Sequence, residues 1–194
     1  MRPNREEAWQ LVCEYTESPN LRRHMLAVET AMRGYARHFD QDEELWGLAG
    51  LLHDFDYEKY PDVAVKGHPN MGADILRQKG YDEEIIRAIL SHATEVTGVE
   101  RESLLEKTLY AVDELTGLIQ AVALVRPSKN VADVELSSVK KKWKNKQFAA
   151  GVHREEVEAA TTDLGVELWE HVGRVLAYMQ EIAPQLLPES DGRI

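Results

Sequence analysis

The run Leu45-Trp46-Gly47-Leu48-Ala49-Gly50-Leu51-Leu52-His53-Asp54 decides how this chain folds. Eight uncharged residues form the body of a buried helix, and a histidine and a carboxylate follow at its end. Taking a polar group out of water without a partner costs about 1–3 kcal/mol, and burying a bare charge costs more. The pair makes sense if a positive ion sits against it. Such an ion needs further ligands from elsewhere in the chain.

Working outward, nearly every flanking segment also reads as helix. Upstream, Ser18-Pro19 gives an N-cap followed by proline at the first helical position. From there Leu21, Met25, Val28, Met32, Tyr35 and Phe39 recur at spacings of three and four, the stripe of a long amphipathic helix. A shorter helix over about 5–16 precedes it, and Gln41-Asp42-Glu43-Glu44 opens the helix that ends at His53-Asp54, its acidic first turn suiting the dipole. Downstream, Tyr60-Pro61 and Gly67-His68-Pro69 punctuate a loop over about 55–69. The pattern then predicts helices over about 70–79, from Asp82 to His92, and over about 102–124, stopped by Arg126-Pro127-Ser128. A polar segment carrying Lys140, Lys141, Lys142, Lys144 and Lys146 follows, then a last helix over about 153–181 and a tail from Pro184 expected to be loosely held. No strand pattern survives. The expected fold is all-α, one domain over residues 1–194, with a C-terminal helical extension over about 126–183.

Composition narrows the function. A net charge of −11 argues against a general nucleic-acid or anionic-membrane surface. The lone Cys13 excludes an intramolecular disulfide and a cysteine-rich zinc framework. The start Met1-Arg2-Pro3-Asn4-Arg5-Glu6-Glu7 lacks the apolar core of a signal peptide, and no uninterrupted apolar stretch reaches the roughly 18–20 residues of a membrane span. A cytoplasmic location is the default expectation.

The informative residues are polar side chains on apolar faces. His24 lies three after Leu21 and four before Val28. Asp113 lies four after Leu109, and His92 three after Ile89. His68 sits between Gly67 and Pro69, just beyond His53-Asp54. By contrast His38, His153 and His171 show no inward pattern and read as solvated surface histidines. A single inward histidine is ordinarily a hydrogen-bonded core residue. Several in one small core, with two carboxylates, are met together by one or two divalent cations. Imidazole and carboxylate ligands suit manganese, iron, nickel, cobalt or zinc. Without thiolates an open catalytic site is favoured over a closed structural one.

The ordered set His24, His53-Asp54, Asp113 resembles the H…HD…D signature of the HD superfamily of metal-dependent phosphohydrolases. The surrounding texture agrees: Asn20-Leu21-Arg22-Arg23-His24, Ala49-Gly50-Leu51-Leu52-His53-Asp54 and Val112-Asp113-Glu114-Leu115. Gly67-His68-Pro69-Asn70-Met71-Gly72-Ala73 and Ile89-Leu90-Ser91-His92 look like the two extra histidines of its binuclear branch. The resemblance spans about residues 20–125 and implies an HD-type helical bundle around a metal core. It implies that His24, His53, Asp54 and Asp113 hold a first ion, with Asp54 bridging to a second ion on His68 and His92. The chain departs from the subfamily in which HD is followed by Ile-Gly, having Phe55-Asp56, and it lacks the Gly-Tyr-Pro motif of cyclic-di-nucleotide phosphodiesterases.

A divalent ion lowers the pKa of water toward neutrality and clamps phosphoryl oxygens, so hydrolysis of a phosphomonoester, phosphodiester or nucleotide-like small substrate is the implied activity. Arg23, Lys66, Arg126, Lys142 and Lys144 are the candidate cations for the phosphate, and Asp56 is a candidate to orient water or a ligand imidazole. Lys66 is grouped with Asp54 and Asp56 as catalytic. The same ligands with two irons would suit an oxygenase, and a metal-containing nucleotide-binding regulatory module is the remaining alternative. Substrate, metal and oligomeric state are left open by the sequence.

Overall fold

The computed structural model describes residues 3–62 and 66–188. Within them the chain is helical, with no strand: α1 Arg5–Tyr15, α2 Pro19–His38, α3 Glu43–Leu52, α4 Asn70–Gln78, α5 Glu83–Ser91, α6 Thr94–Thr97, α7 Leu104–Leu124, α8 Leu136–Trp143, α9 Arg154–Leu164 and α10 Leu168–Glu181. Short 3-10 turns occupy Val131–Asp133 and Ala183–Leu186. No helix among the described residues is long and apolar enough to cross a membrane.

Helix starts are chemically marked. The Asn4 side chain accepts from the Glu7 amide at 3.0 Å while Glu7 accepts from the Asn4 amide at 2.8 Å. Ser18 caps α2 ahead of Pro19, Asp42 caps α3, and Ser103 and Glu106 form a second reciprocal pair at α7. These caps fix where each helix begins, so its buried face arrives in register.

The centre of the fold is α2 against α3. Met25, Val28 and Met32 face Leu48, Leu51 and Leu52, all at most 1% exposed. Each such side chain contributes roughly 1.5–3 kcal/mol on leaving water. Gly50 allows the close approach: a Cβ there would stand 3.0 Å from the Val28 carbonyl oxygen and the Glu29 Cα. This contact sets His24 of α2 beside His53 at the end of α3. Helices α5 and α7 complete the core through Ile85, Ile86, Ile89, Leu109, Val112, Leu115 and Ile119. Behind them α9 packs on α7, and α10 packs on α2 and α7.

Three expectations need correction. The helix expected over about 153–181 is two helices, broken where Gly165 adopts φ +76°, the left-handed cap that glycine enters without steric cost. His171 is not on the surface: it is fully buried, accepting from the Tyr35 hydroxyl at Nδ1 and donating from Nε2 to the Ala111 carbonyl at 2.9 Å. The tail is held at its start, because Ala183 and Leu186 are buried in the turn that packs on α2. The lysine-rich segment contains α8, whose Val139 and Trp143 are buried. Of the loop expected over 55–69, residues 63–65 lie outside the described residues, as does the tail beyond 188.

Candidate metal centre

Five stretches of chain deliver six side chains to one place. His24 comes from the first turns of α2, His53 and Asp54 from the end of α3, His68 from the turn before α4, His92 from the end of α5, and Asp113 from the middle of α7. The turn after α3 is pinned by Phe55, which is fully buried against the Tyr15 ring at 5.3 Å and whose carbonyl accepts from Thr16 Oγ1 at 2.9 Å. With Phe55 fixed, the HD pair cannot swing away.

The six groups fall into two triads. In the first, His24 Nε2 lies 3.2 Å from His53 Nε2 and 3.0 Å from Asp113 Oδ1, and His53 Nε2 lies 3.4 Å from the same oxygen. In the second, His68 Nε2 lies 3.2 Å from His92 Nε2, and Asp54 Oδ1 lies 3.2 Å from His68 Nε2 and 3.7 Å from His92 Nε2. Asp54 joins the two, because its other oxygen, Oδ2, points at the first triad, 3.5 Å from His53 Nε2 and 3.8 Å from His24 Nε2. Each triad is a group whose ligand atoms can hold a metal ion.

The other ring nitrogen fixes what each imidazole presents. His53 Nδ1 donates to the Gly50 carbonyl at 2.8 Å, and His92 Nδ1 donates to the Ile89 carbonyl. His68 Nδ1 donates to Asp56 Oδ1 at 2.7 Å, and His24 Nδ1 donates to Thr116 Oγ1 at 3.4 Å. Thr116 spends its own proton on the Asp113 carbonyl at 2.8 Å, which leaves its oxygen as the acceptor. With Nδ1 carrying the hydrogen, all four Nε2 atoms present lone pairs. Lone pairs 3.2 Å apart repel unless something positive lies between them. Metal–nitrogen bonds of roughly 2.0–2.1 Å place neighbouring ligands of one ion roughly 3 Å apart, the spacing seen here. The donor set therefore fits a divalent ion in each triad.

Without that ion, charge is balanced by a proton. Burial disfavours imidazolium at His53, but the carboxylates of Asp54 and Asp113 outweigh it and push its pKa up to about 9. Burial likewise works against charge on Asp54 and Asp113. Both are nevertheless held below the usual carboxylate range, by His53 first, then by His92 at Asp54 and His24 at Asp113. Metal and proton compete for one position.

Asp56 is fully buried and touches no triad atom other than through His68. Its Oδ2 accepts from the Gly72 amide at 2.7 Å, and a Cβ on Gly72 would sit 2.8 Å from Oδ1. Phe55-Asp56 thus has a local explanation: the phenylalanine anchors the turn and the aspartate orients His68.

Two cavities reach these ligands. One of about 590 Å³ has His24 in its wall, together with Arg23, whose guanidinium bonds Asn20 Oδ1. The other, about 350 Å³, is lined by His92 and Asp113 and by Glu95, Glu114, His153 and Glu156. Neither is lined by Lys66, Arg126, Lys142 or Lys144. Lys66 is exposed, Arg126 bonds Ser138 Oγ at 3.3 Å, and the Lys142 ammonium stands 4.5 Å over the Phe148 ring. Sequence reasoning did not single out Thr116, Gly72 or the Glu114–His153 pair, in which His153 Nδ1 donates to Glu114 Oε1 at 2.8 Å. Thr116 lies one helical turn after Asp113, four after Val112 and three before Ile119, on the inward stripe of α7.

An all-helical scaffold presenting paired His/Asp triads from helix ends defines a class of metal-binding helical domain. Residues 21–118 match the family model described as HD domain, and the chain belongs to that family, within a superfamily of metal-dependent phosphohydrolases. It is 33% identical over 109 residues to ribonuclease Y of Oleidesulfovibrio alaskensis, covering 56% of this chain and 20% of that protein. It is 32% identical over 103 residues to an uncharacterized protein of Methanocaldococcus jannaschii, covering 50% of this chain and 58% of that one. The chain thus spans a fifth of the first relative and somewhat over half of the second. No solved structure matches.

Proposed function

We propose that this chain is a two-metal phosphohydrolase acting on a small phosphoester. The observation that carries the reading is Asp54, whose two carboxylate oxygens serve different triads, Oδ2 the first and Oδ1 the second. His24, His53, Asp113 and Asp54 would hold one ion, and Asp54, His68 and His92 the other. When bound, the ions supply a water acidified toward neutral pH and positive charge for the phosphoryl oxygens.

The chain's own residues do the rest. The Nδ1–H bonds of the four histidines hold the ring planes, so no ligand must reorient as charge develops. Asp56 keeps the His68 proton on Nδ1. Arg23, in the wall beside His24, is the cation placed to pair with a phosphate oxygen, and Asn20 steadies its guanidinium. The C-terminal helices, packed on α7, belong to the same functional unit.

Three of the relatives are ribonucleases by name, yet a small substrate suits this chain better than RNA. Its net charge is −11, and three glutamates stand in the mouth on the His92 side. A cytoplasmic setting agrees with the single, unpaired Cys13.

The test is metal content by elemental analysis of protein never exposed to chelator, followed by a phosphoester and dinucleotide panel with and without oxygen. Two equivalents of transition metal and oxygen-independent hydrolysis are expected. Absence of metal refutes the reading, and turnover confined to aerobic, iron-loaded protein reassigns it as an oxygenase.

A further inference from the structure

The cavity of about 590 Å³ beside His24 lies between α2, the turn after α3 and α7. Its wall is largely carbon: Leu21, Tyr57, Pro61, Ala121 and Leu124. Tyr57 and Leu124 are 46% and 44% exposed, among the most exposed large apolar side chains of the described residues. Leaving two such groups in water beside a metal centre has a cost that a bound ligand would remove.

The polar groups around it are mostly committed elsewhere. Glu58 accepts from the Glu17 and Ser18 amides at 3.1 and 3.0 Å, and Ser18 Oγ caps α2 by accepting from the Leu21 amide at 3.3 Å. Asn20 is engaged by Arg23. Arg23, beside His24, is then the group for the phosphate, and the polar groups left in the wall, the Gln120 amide and the Tyr57 hydroxyl, are too few for the several hydroxyls and ring nitrogens of a nucleoside. The cavity on the His92 side, with Glu95, Glu114 and Glu156, offers no comparable apolar wall.

Gly117 lines the cavity. It stands one turn beyond Asp113 on α7, and a Cβ built on it meets no atom within 4 Å. A large side chain at this position would project into the space next to the first triad.

We propose that this cavity is the leaving-group subsite and takes an apolar alkyl or aryl group, so that the substrate is a phosphoester of an apolar alcohol rather than of a sugar or nucleoside. The inference rests on the phosphohydrolase reading of the centre. Water's oxygen forms the new P–O bond as the ester P–O bond breaks. The ester oxygen leaves with the electron pair and takes up a proton from that water, giving the free alcohol and phosphate with no other reactant. The alcohol's hydrocarbon lies against Tyr57, Ala121 and Leu124, and Arg23 faces the phosphate.

The experiment compares kcat/KM of the metal-replete protein on methyl, butyl, hexyl, phenyl and 2-naphthyl phosphate and on adenosine monophosphate. Each buried methylene should raise kcat/KM about fourfold until the cavity fills. Hexyl phosphate should exceed methyl phosphate, whose leaving alcohol has nearly the same pKa, by at least about thirtyfold, naphthyl phosphate should exceed phenyl phosphate, and adenosine monophosphate should be inferior to hexyl phosphate. Gly117→Trp should cut the hexyl-to-methyl ratio at least tenfold while metal content stays at the wild-type value. Leu124→Asp, at an exposed rim position, should lower the ratio in the same direction. A flat dependence on leaving-group size, a preference for adenosine monophosphate, or an unchanged ratio in both folded variants overturns the subsite while hydrolysis itself stands. Failure of metal-replete protein to hydrolyse any ester defeats the phosphohydrolase reading, and the subsite with it.

Discussion

His53 and His171 are both fully buried histidines, yet their surroundings drive them in opposite directions. Burial acts on each by disfavouring the charged ring. At His171 it prevails: the partners are a tyrosine hydroxyl and a backbone carbonyl, and the pKa falls to about 4. At His53 two carboxylates reverse the outcome and raise it to about 9. His171 has both nitrogens satisfied by protein, a closed account of hydrogen bonds. His53 aims Nε2 at other acceptors, and that unmet convergence, rather than burial, marks a metal centre.

The comparison breaks most visibly at Asp54. Asp54→Ala removes the shared carboxylate from both triads, and bound metal should fall from two equivalents to below one. Hydrolysis should drop by at least about 10⁴-fold, since both the ion positions and the charge balance are lost. His171→Leu should keep wild-type metal stoichiometry. Equal metal loss in the two variants, measured by elemental analysis on folded protein, would erase the distinction drawn between these histidines.

The next effect is smaller and confined to one triad. Asp56 fixes the His68 proton on Nδ1, and Gly72 leaves room for its carboxylate. Asp56→Ala should weaken binding of the second ion by about 10–100-fold, the usual cost of losing a carboxylate behind a ligating histidine. Gly72→Ala should act in the same direction through crowding. Calorimetric titration of metal into chelated protein would show this as weakening of one step only. Equal weakening of both steps would mean that Asp56 supports the fold rather than His68.

Periodicity made His24, His92 and Asp113 legible, because a polar side chain three or four positions from apolar neighbours must face inward whatever the tertiary fold, while His53-Asp54 stood out at the end of an apolar run and His68, in a loop, only through the family resemblance. It could not show how Asp54 divides its oxygens, since that depends on five stretches meeting in space. His171 was misread although it lies four before Val175 and eight before Met179, two fully buried residues. Trp169, Glu170 and Arg174 around it blurred the stripe. The break at Gly165 had its signal too, a glycine following Leu164, but the long apolar pattern on both sides masked it. Thr116 was legible by the same rule, four after Val112 and three before Ile119, but a threonine is ordinary in a helix core and gave no reason to single it out; the wall of the large cavity was beyond reach, because it joins α2, the turn after α3 and α7 in space.

The smallest effect, at most about 1.4 kcal/mol per pH unit, tests the contrast most directly. His171 is held neutral in the folded protein with a pKa of about 4 against 6.5 when unfolded. Between those values the unfolded chain binds more protons, so stability should rise as pH climbs from 4 to 6.5. His53 in metal-free protein has the opposite sign: its folded pKa of about 9 exceeds 6.5, so its contribution is fully present below pH 6.5 and lost as pH rises through 9. Denaturant titrations of chelated protein should therefore show slopes of opposite sign on the two sides of pH 6.5. His171→Leu should flatten the acid limb alone. Metal loading should flatten the alkaline limb alone, because the ion replaces the proton that His53 would otherwise release. If metal leaves the alkaline slope unchanged, the ion does not bind at the His53 triad.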